Sequence, residues 1–191
     1  MEIPKHYQNS IKRLLKFIAI MLIIGVVSGF FTQELGRLVR GKEGIDLALE
    51  NAVLLPSRLI HGHILTLGAV IPAVFIVCLI GLCAVKDYQK EQPIREKSLT
   101  VSLTMLQVGV LSSLLLSGVK AITLLFHVGK MLKSQTQIET TIHQLLDNAL
   151  PIGFLPRLVV YAISHLLLGS ALAMFATSVL KNLNSNEKKQ K

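Results

Sequence analysis

The chain has 191 residues, of which 51% are hydrophobic and only 16% are charged, and its formal net charge is +9. A water-soluble domain carries about a quarter charged residues, so the composition argues against an ordinary soluble protein. The basic excess does not indicate nucleic-acid binding, because the chain has no Trp and no aromatic residues interleaved with the basic ones.

Charged residues are absent from four long segments, at residues 17–33, 59–85, 98–119 and 158–180. A helix of about 20 apolar residues crosses the roughly 30 Å hydrocarbon layer of a bilayer. The segments are continuously apolar rather than alternating, which favours helices over strands. We therefore predict an all-α membrane protein with four transmembrane helices in an antiparallel bundle, at about residues 14–33, 59–85, 98–126 and 157–180.

The basic residues predict the orientation of these helices. With both termini in the cytoplasm, the inner side holds 12 basic and 5 acidic residues, and the outer side 8 basic and 6 acidic. Lys and Arg near helix ends favour the cytoplasmic side. We expect a multi-pass protein of the cell membrane with both termini cytoplasmic, in contact with anionic lipids at that face. The helices belong to one domain, residues 1–181, followed by a disordered polar tail at residues 182–191.

The two outer connections contain further helical patterns. In the first, Asp46 is a candidate cap for a short helix that ends before Pro56. In the second, apolar residues recur at spacings of three and four and predict a short amphipathic helix over residues 135–149, stopped by Pro151. Such a helix can lie on the membrane surface or cover the end of the bundle.

The most informative polar residues are three histidines within the predicted spans. His61 and His63 stand near the outer start of the second helix, and His165 lies in the outer half of the fourth. An ionisable residue at membrane depth indicates a functional site by default. Positions two apart on a helix diverge by about 200°, so only one of His61 and His63 is expected to face the bundle. We favour His63, which is deeper and borders small residues.

Two functions fit these histidines. In the first, His63 and His165, assisted by His61, hold haem b or a transition metal ion between the second and fourth helices, in a redox or sensing role. Lys120 and Arg58 are then the candidate partners of the haem propionates. In the alternative, the protein is a non-catalytic accessory or transporter-like membrane protein, and its histidines make interhelical hydrogen bonds or a proton path.

The sequence shows no motif of an enzyme that works alone, such as a Walker loop or a G-x-S-x-G elbow. Partners expected besides the lipid bilayer are a further copy of the chain or, with haem, a membrane redox protein.

Three histidine and glycine motifs occur in order along the chain. They are Gly-Phe-Phe-Thr-Gln-Glu at residues 29–34, His-Gly-His-Ile-Leu-Thr-Leu-Gly at residues 61–68, and Ile-Ser-His-Leu-Leu-Leu-Gly at residues 163–169. In these motifs the chain resembles the small bacterial four-helix membrane proteins of the domain of unknown function 2871 family. Lys120 stands where that family tends to have Arg, and Thr32-Gln33 replaces a more usual Tyr-Arg. The His-x-His helix is also similar to histidine helices of haem-copper oxidase subunit I and NnrS-like proteins, and that likeness implies haem or metal ligation.

Overall fold

The structure, a computed structural model, describes residues 3–40, 47–85, 94–134 and 154–184. Within these ranges the protein is helical apart from a few residues at their ends, and no strand occurs there. The helices are α1 (Lys5–Val39), α2 (Leu47–Leu65), α3 (Ile71–Val85), α4 (Glu96–Ser134) and α5 (Phe154–Asn184), and a π-helical turn (Thr66–Val70) joins α2 to α3.

Among the described residues, four helical segments are long and apolar enough to cross a membrane, which confirms the predicted number. They are Lys5–Arg37, Ser57–Val85, Glu96–Thr123 and Leu158–Leu183, and are called the first to fourth spans below. The outward surface is apolar as well: Ile23, Val26 and Phe30 of α1 are each more than 60% exposed. Apolar surface of this extent is unfavourable in water. Lipid is therefore the solvent that suits these helices.

Several helix ends differ from the sequence prediction: α1 and α4 extend beyond the predicted residues 14–33 and 98–126, and two further differences concern Pro56 and the C-terminal tail. A short helix was expected to end before Pro56, but α2 continues through that position into the second span. Proline is tolerated inside membrane helices because neighbouring groups can satisfy the backbone carbonyl that it leaves free. At the other end of the chain, α5 extends to Asn184, so residues 182–184 of the predicted tail are helical. Residues 185–191 and the amphipathic helix predicted over residues 135–149 lie outside the described residues.

The π-helical turn lies directly before Pro72, which is buried in α3. In a regular α-helix the ring of Pro72 would clash with the carbonyl of Gly68, four residues earlier, and could donate no hydrogen bond to it. The wider turn instead bonds the Ile71 N–H to the carbonyl of Thr66. The second span is therefore one helix with a local change of winding in its middle.

The helices pack along seams with spacings of three and four residues. On α1 the buried residues include Tyr7, Ser10, Leu14, Phe17 and Met21. On α4 they include Leu99, Leu103, Leu106 and Val110. This heptad-like repeat is the geometry by which side chains of neighbouring helices interdigitate. The second and third spans are the most enclosed, while the first and fourth expose more of their surface.

Hydrogen bonds from polar side chains also join the helices. At the beginning of α4, the Ile94 N–H donates to the hydroxyl of Tyr7 at 2.9 Å, and the ring of His6 lies 3.0 Å from the Ile94 carbonyl oxygen. Between α4 and α5, the hydroxyl of Ser102 donates to the carbonyl of Ala171 at 2.9 Å. Buried polar groups need such partners, most of all in lipid.

Candidate functional site

His61 lies on α2 and faces α1. Its Nδ1 atom is 2.9 Å from the carbonyl oxygen of Gly25, across the boundary between the first and second spans. Because a carbonyl oxygen can only accept, Nδ1 carries the hydrogen and donates. The ring is half-buried. His61 therefore makes an interhelical hydrogen bond inside the membrane-spanning region.

The ring of His61 fits because α1 has a glycine opposite it. A Cβ atom built on Gly29 would lie 2.9 Å from Cε1 of His61 and 3.1 Å from its Nδ1, closer than side chains pack. Gly25 and Gly29 are four residues apart and so lie on the same face of α1. This glycine face lets α2 approach until the imidazole reaches the backbone of α1.

His63 takes a different direction from the one we expected. Its Nδ1 is 2.8 Å from the carbonyl oxygen of Leu59, on its own helix. Since positions two apart diverge by about 200° on a regular helix, only one of the two rings can meet α1. The structure assigns that place to His61, not to His63, because the space beside Gly29 is opposite position 61.

His165 lies on the exposed side of α5, and its Nδ1 is 2.8 Å from the carbonyl oxygen of Tyr161. The small residues near it on the same helix are exposed too: Ala162, Gly169, Ala173 and Ala176. The face that α5 buries instead contains Ser164, Leu168, Ala171 and Phe175. These residues recur at spacings of three and four and pack mainly against α4.

The predicted partners of the haem propionates take no part in the hydrogen bonds of these histidines. Arg58 is exposed on α2, and Lys120 is half-buried on α4. Among the described residues, the ion pairs join Arg37 to Glu34 at 2.8 Å and Arg40 to Glu50 at 3.1 Å, near the end of α1 and the beginning of α2. Neither pair includes a predicted site residue.

The three membrane histidines share one chemical property. Each donates from Nδ1 to a backbone carbonyl, so in the neutral ring Nε2 keeps a free lone pair. Metal-ligating histidines commonly have this arrangement. However, the part of the chain that the structure describes contains no group of three His, Cys, Asp or Glu side chains that could hold a metal ion. Each ring by itself has the chemistry of a metal ligand, but the structure does not bring His61, His63 and His165 together as a set.

A second polar contact supports the pairing of α1 with α2. The hydroxyl of Thr32 donates to the carbonyl of Ser28 at 2.8 Å and lies 2.6 Å from the hydroxyl of Ser57. A hydroxyl has one hydrogen, so Ser57 is the donor in the contact between the two side chains. Ser57 is buried. With His61, this contact fixes the position of α2 along α1.

Sequence analysis did not single out Arg13 as a site residue. Its guanidinium group reaches from α1 to α4, where Nε donates to Oε1 of Gln107 at 2.8 Å and Nη2 donates to Oγ1 of Thr104 at 3.0 Å. Gln107 and Thr104 are three residues apart and share one face of α4. The signal available in the sequence was the pair of polar residues at this spacing within an apolar segment.

Comparison with known proteins adds nothing to this geometry: no family model, curated protein or solved structure matches the chain. The resemblance to the four-helix family therefore stays a prediction.

Proposed function

We propose that the chain is a non-catalytic multi-pass protein of the cell membrane, in an accessory or transporter-like role, in which the membrane histidine His61 serves helix association. The observation that carries this proposal is the bond from Nδ1 of His61 to the Gly25 carbonyl. A hydrogen bond between two spans is a use of a membrane histidine that requires no cofactor. The partly buried contact of Thr32 with Ser57 supports the same interpretation.

The proposed architecture is an antiparallel four-helix bundle. Along the first and second spans the contacting positions change in opposite directions, since Met21 meets Gly68, Gly29 meets His61 and Thr32 meets Ser57. Between α4 and α5 the order is likewise reversed: Ser98 meets Ser178, Ser102 meets Ala171 and Gly109 meets Leu168. Opposite directions in both pairs favour an up-and-down arrangement.

The proposed orientation has both termini in the cytoplasm, and it is tested by labelling. Lys5→Cys and Lys181→Cys place a thiol at the N-terminal end of the first span and the C-terminal end of the fourth. We expect a membrane-impermeant maleimide to label them only after the cells are lysed, because basic residues keep these ends inside. Arg40→Cys, beyond the other end of the first span, is the control and should be labelled in intact cells. Labelling of Lys5→Cys in intact cells would refute this orientation.

The role of His61 is tested by a pair of matched substitutions. His61→Leu should lower the free energy of unfolding in detergent by about 0.5–1.7 kcal/mol, the range measured for polar contacts between membrane helices. His63→Leu, whose native bond stays within its own helix, should change it by less than about 0.5 kcal/mol. Thermal or SDS-induced unfolding measures both. Equal effects of the two substitutions would contradict the proposed role of His61.

A second candidate function is the binding of haem b or a transition metal ion through His63 and His165, with a membrane redox protein as partner. It is favoured by the Nε2 lone pair that each ring keeps. Against it, His165 is exposed, and α2 packs mainly on α1 and α4 whereas α5 packs mainly on α4. A visible spectrum and metal analysis of protein from haem-supplied cells decide between the candidates. A haem band that is lost in His63→Gln and His165→Gln would replace our first proposal with this one.

A further inference from the structure

An open cleft of about 430 Å³ lies between α1 and α4. One part of its lining is polar and comes mostly from the N-terminal third of α1: Asn9, Lys12, Arg13 and Lys16. Asn9 and Lys16 are each three or four residues from both Lys12 and Arg13, so the four positions lie on one side of the helix. The cleft is therefore a place where several cations are presented together, rather than scattered around the helix.

The cations of the cleft differ in how they are held. Lys12 and Lys16 are exposed, whereas Arg13 is half-buried and fixed to α4 through its Nε and Nη2 atoms. The bonds of Arg13 to α4 use Nε and Nη2 and leave its Nη1 group available to another acceptor. Neither of the two ion pairs among the described residues involves the cleft. Its charge is therefore not neutralised by a carboxylate of the described chain.

The remaining lining of the cleft is largely apolar and lies further along the same helices. Phe17 and Ile20 follow Lys16 on α1, and Leu111 stands opposite on α4, one turn beyond Gln107. From Lys12 to Ile20 the helix rises about 12 Å. The cleft thus has a cationic end and an apolar end, arranged along the length of the two helices.

We propose that this cleft binds a single phospholipid with an anionic headgroup. The phosphate is held by Lys12, Lys16 and the free edge of Arg13, because cationic donors form short, strong bonds with phosphate oxygens. The upper part of an acyl chain lies along Phe17, Ile20 and Leu111. A free phosphate would use the cations and leave the apolar end uncovered, and this difference identifies a lipid as the occupant.

Only the choice of leaflet rests on the proposed function, with its cytoplasmic N terminus. That orientation places the bound lipid in the inner leaflet. Lysine stems can lie along apolar surface while their ammonium groups reach the headgroups. The anionic lipids of the cytoplasmic leaflet attract cations at this depth. The bound lipid would cover a cleft between the first and third spans and so join α1 to α4 beside the contact of Arg13 with Gln107.

The test measures lipid binding to the purified full chain in a neutral detergent by native mass spectrometry. Phosphatidylglycerol is the probe, phosphatidylcholine with the same acyl chains is the zwitterionic comparison, and glycerol 3-phosphate represents the headgroup alone. We expect phosphatidylglycerol to be retained at least about tenfold better than either. The double substitution Lys12→Gln with Lys16→Gln should weaken phosphatidylglycerol binding by about 20- to 30-fold, since each such cation contributes about fivefold.

The matched control is Lys97→Gln with Lys181→Gln, which removes the same charge from two exposed lysines outside the cleft. It should leave phosphatidylglycerol binding within about threefold of the wild type. Equal weakening by both double substitutions would overturn the proposal, because binding would then follow net charge alone. Full competition by glycerol 3-phosphate would overturn it as well, since the apolar end would have no role.

A measurement on the unmodified chain keeps the proposal testable if the substituted proteins are unstable. Phosphatidylglycerol with a photoreactive group in its acyl chain should cross-link to the peptides that contain Ile20 and Leu111. Cross-linking confined to α5 would contradict the proposed site. None of these measurements depends on the orientation of the chain in the membrane. If the labelling experiment showed the reverse orientation, the lipid would lie in the other leaflet, and the binding data would still decide which ligand the cleft holds.

Discussion

Gly109→Val should lower the free energy of unfolding by about 1–3 kcal/mol, the usual cost of overpacking a close contact. A Cβ atom at this position of α4 would lie 2.9 Å from Cγ of Leu168 and 3.2 Å from its backbone nitrogen. The side chain of Leu168 can rotate away, but its backbone nitrogen can move only with α5. The substitution must therefore separate the two helices, which pack on each other more extensively than any other described pair.

Gly118→Val is the matched control on the same helix. A Cβ atom there meets nothing within 4 Å, so the same change of residue adds no collision. We expect its free energy of unfolding to stay within about 0.5 kcal/mol of the wild type, as for substitutions away from packed sites. Unfolding by SDS or by heat in one detergent gives both values. Equal destabilisation would mean that helix propensity, rather than the approach of α5, determines the effect at Gly109.

Phe175→Ala is expected to be at least as damaging. The rings of Phe75 and Phe175 are stacked with centroids 3.7 Å apart and planes 8° from parallel, and both are buried. They connect α3 to α5, which otherwise share a small contact. Truncation in a water-soluble core costs about 3–5 kcal/mol. We expect about 2–3 kcal/mol here, because the separated helices remain in lipid and only the packing is lost.

The control for this prediction is Phe30→Ala, on the outward face of α1, where the ring is 66% exposed. Lipid fills the place of that ring, so the free energy of unfolding should change by less than about 0.5 kcal/mol. A double-mutant cycle of Phe75→Ala with Phe175→Ala isolates the contribution of the stack. A coupling energy near zero would show that the two rings act independently, contrary to the structure.

Several features of the chain follow from its sequence without any contact between helices. Continuous apolar segments between charges gave the number of spans, because crossing lipid requires length and the absence of charge. The extension of α2 through Pro56 was not predicted from the sequence. Sequence rules stop a helix near proline, but a membrane helix tolerates one where other groups satisfy the freed carbonyl.

The direction of each histidine could not be derived in the same way. The sequence established that His61 and His63 point to opposite sides of their helix, but the choice between them depends on Gly25 and Gly29 of α1, which lie opposite position 61. For His165, the small residues around it would permit a close helix contact, yet α5 buries the neighbouring face that contains Leu168 and Phe175. Small residues permit a close contact, but they do not require one.

The apolar segments by themselves determined that this chain crosses a membrane as helices. The reason is that lipid excludes charge and unpaired backbone groups, however the helices pack on one another. Only the tertiary structure decided which face of each helix is buried. In water the apolar face of a helix identifies its core side. In lipid the outward face is equally apolar, as exposed Ile23 and Val26 beside buried Met21 show on α1, so hydropathy carries no signal for the packing partner.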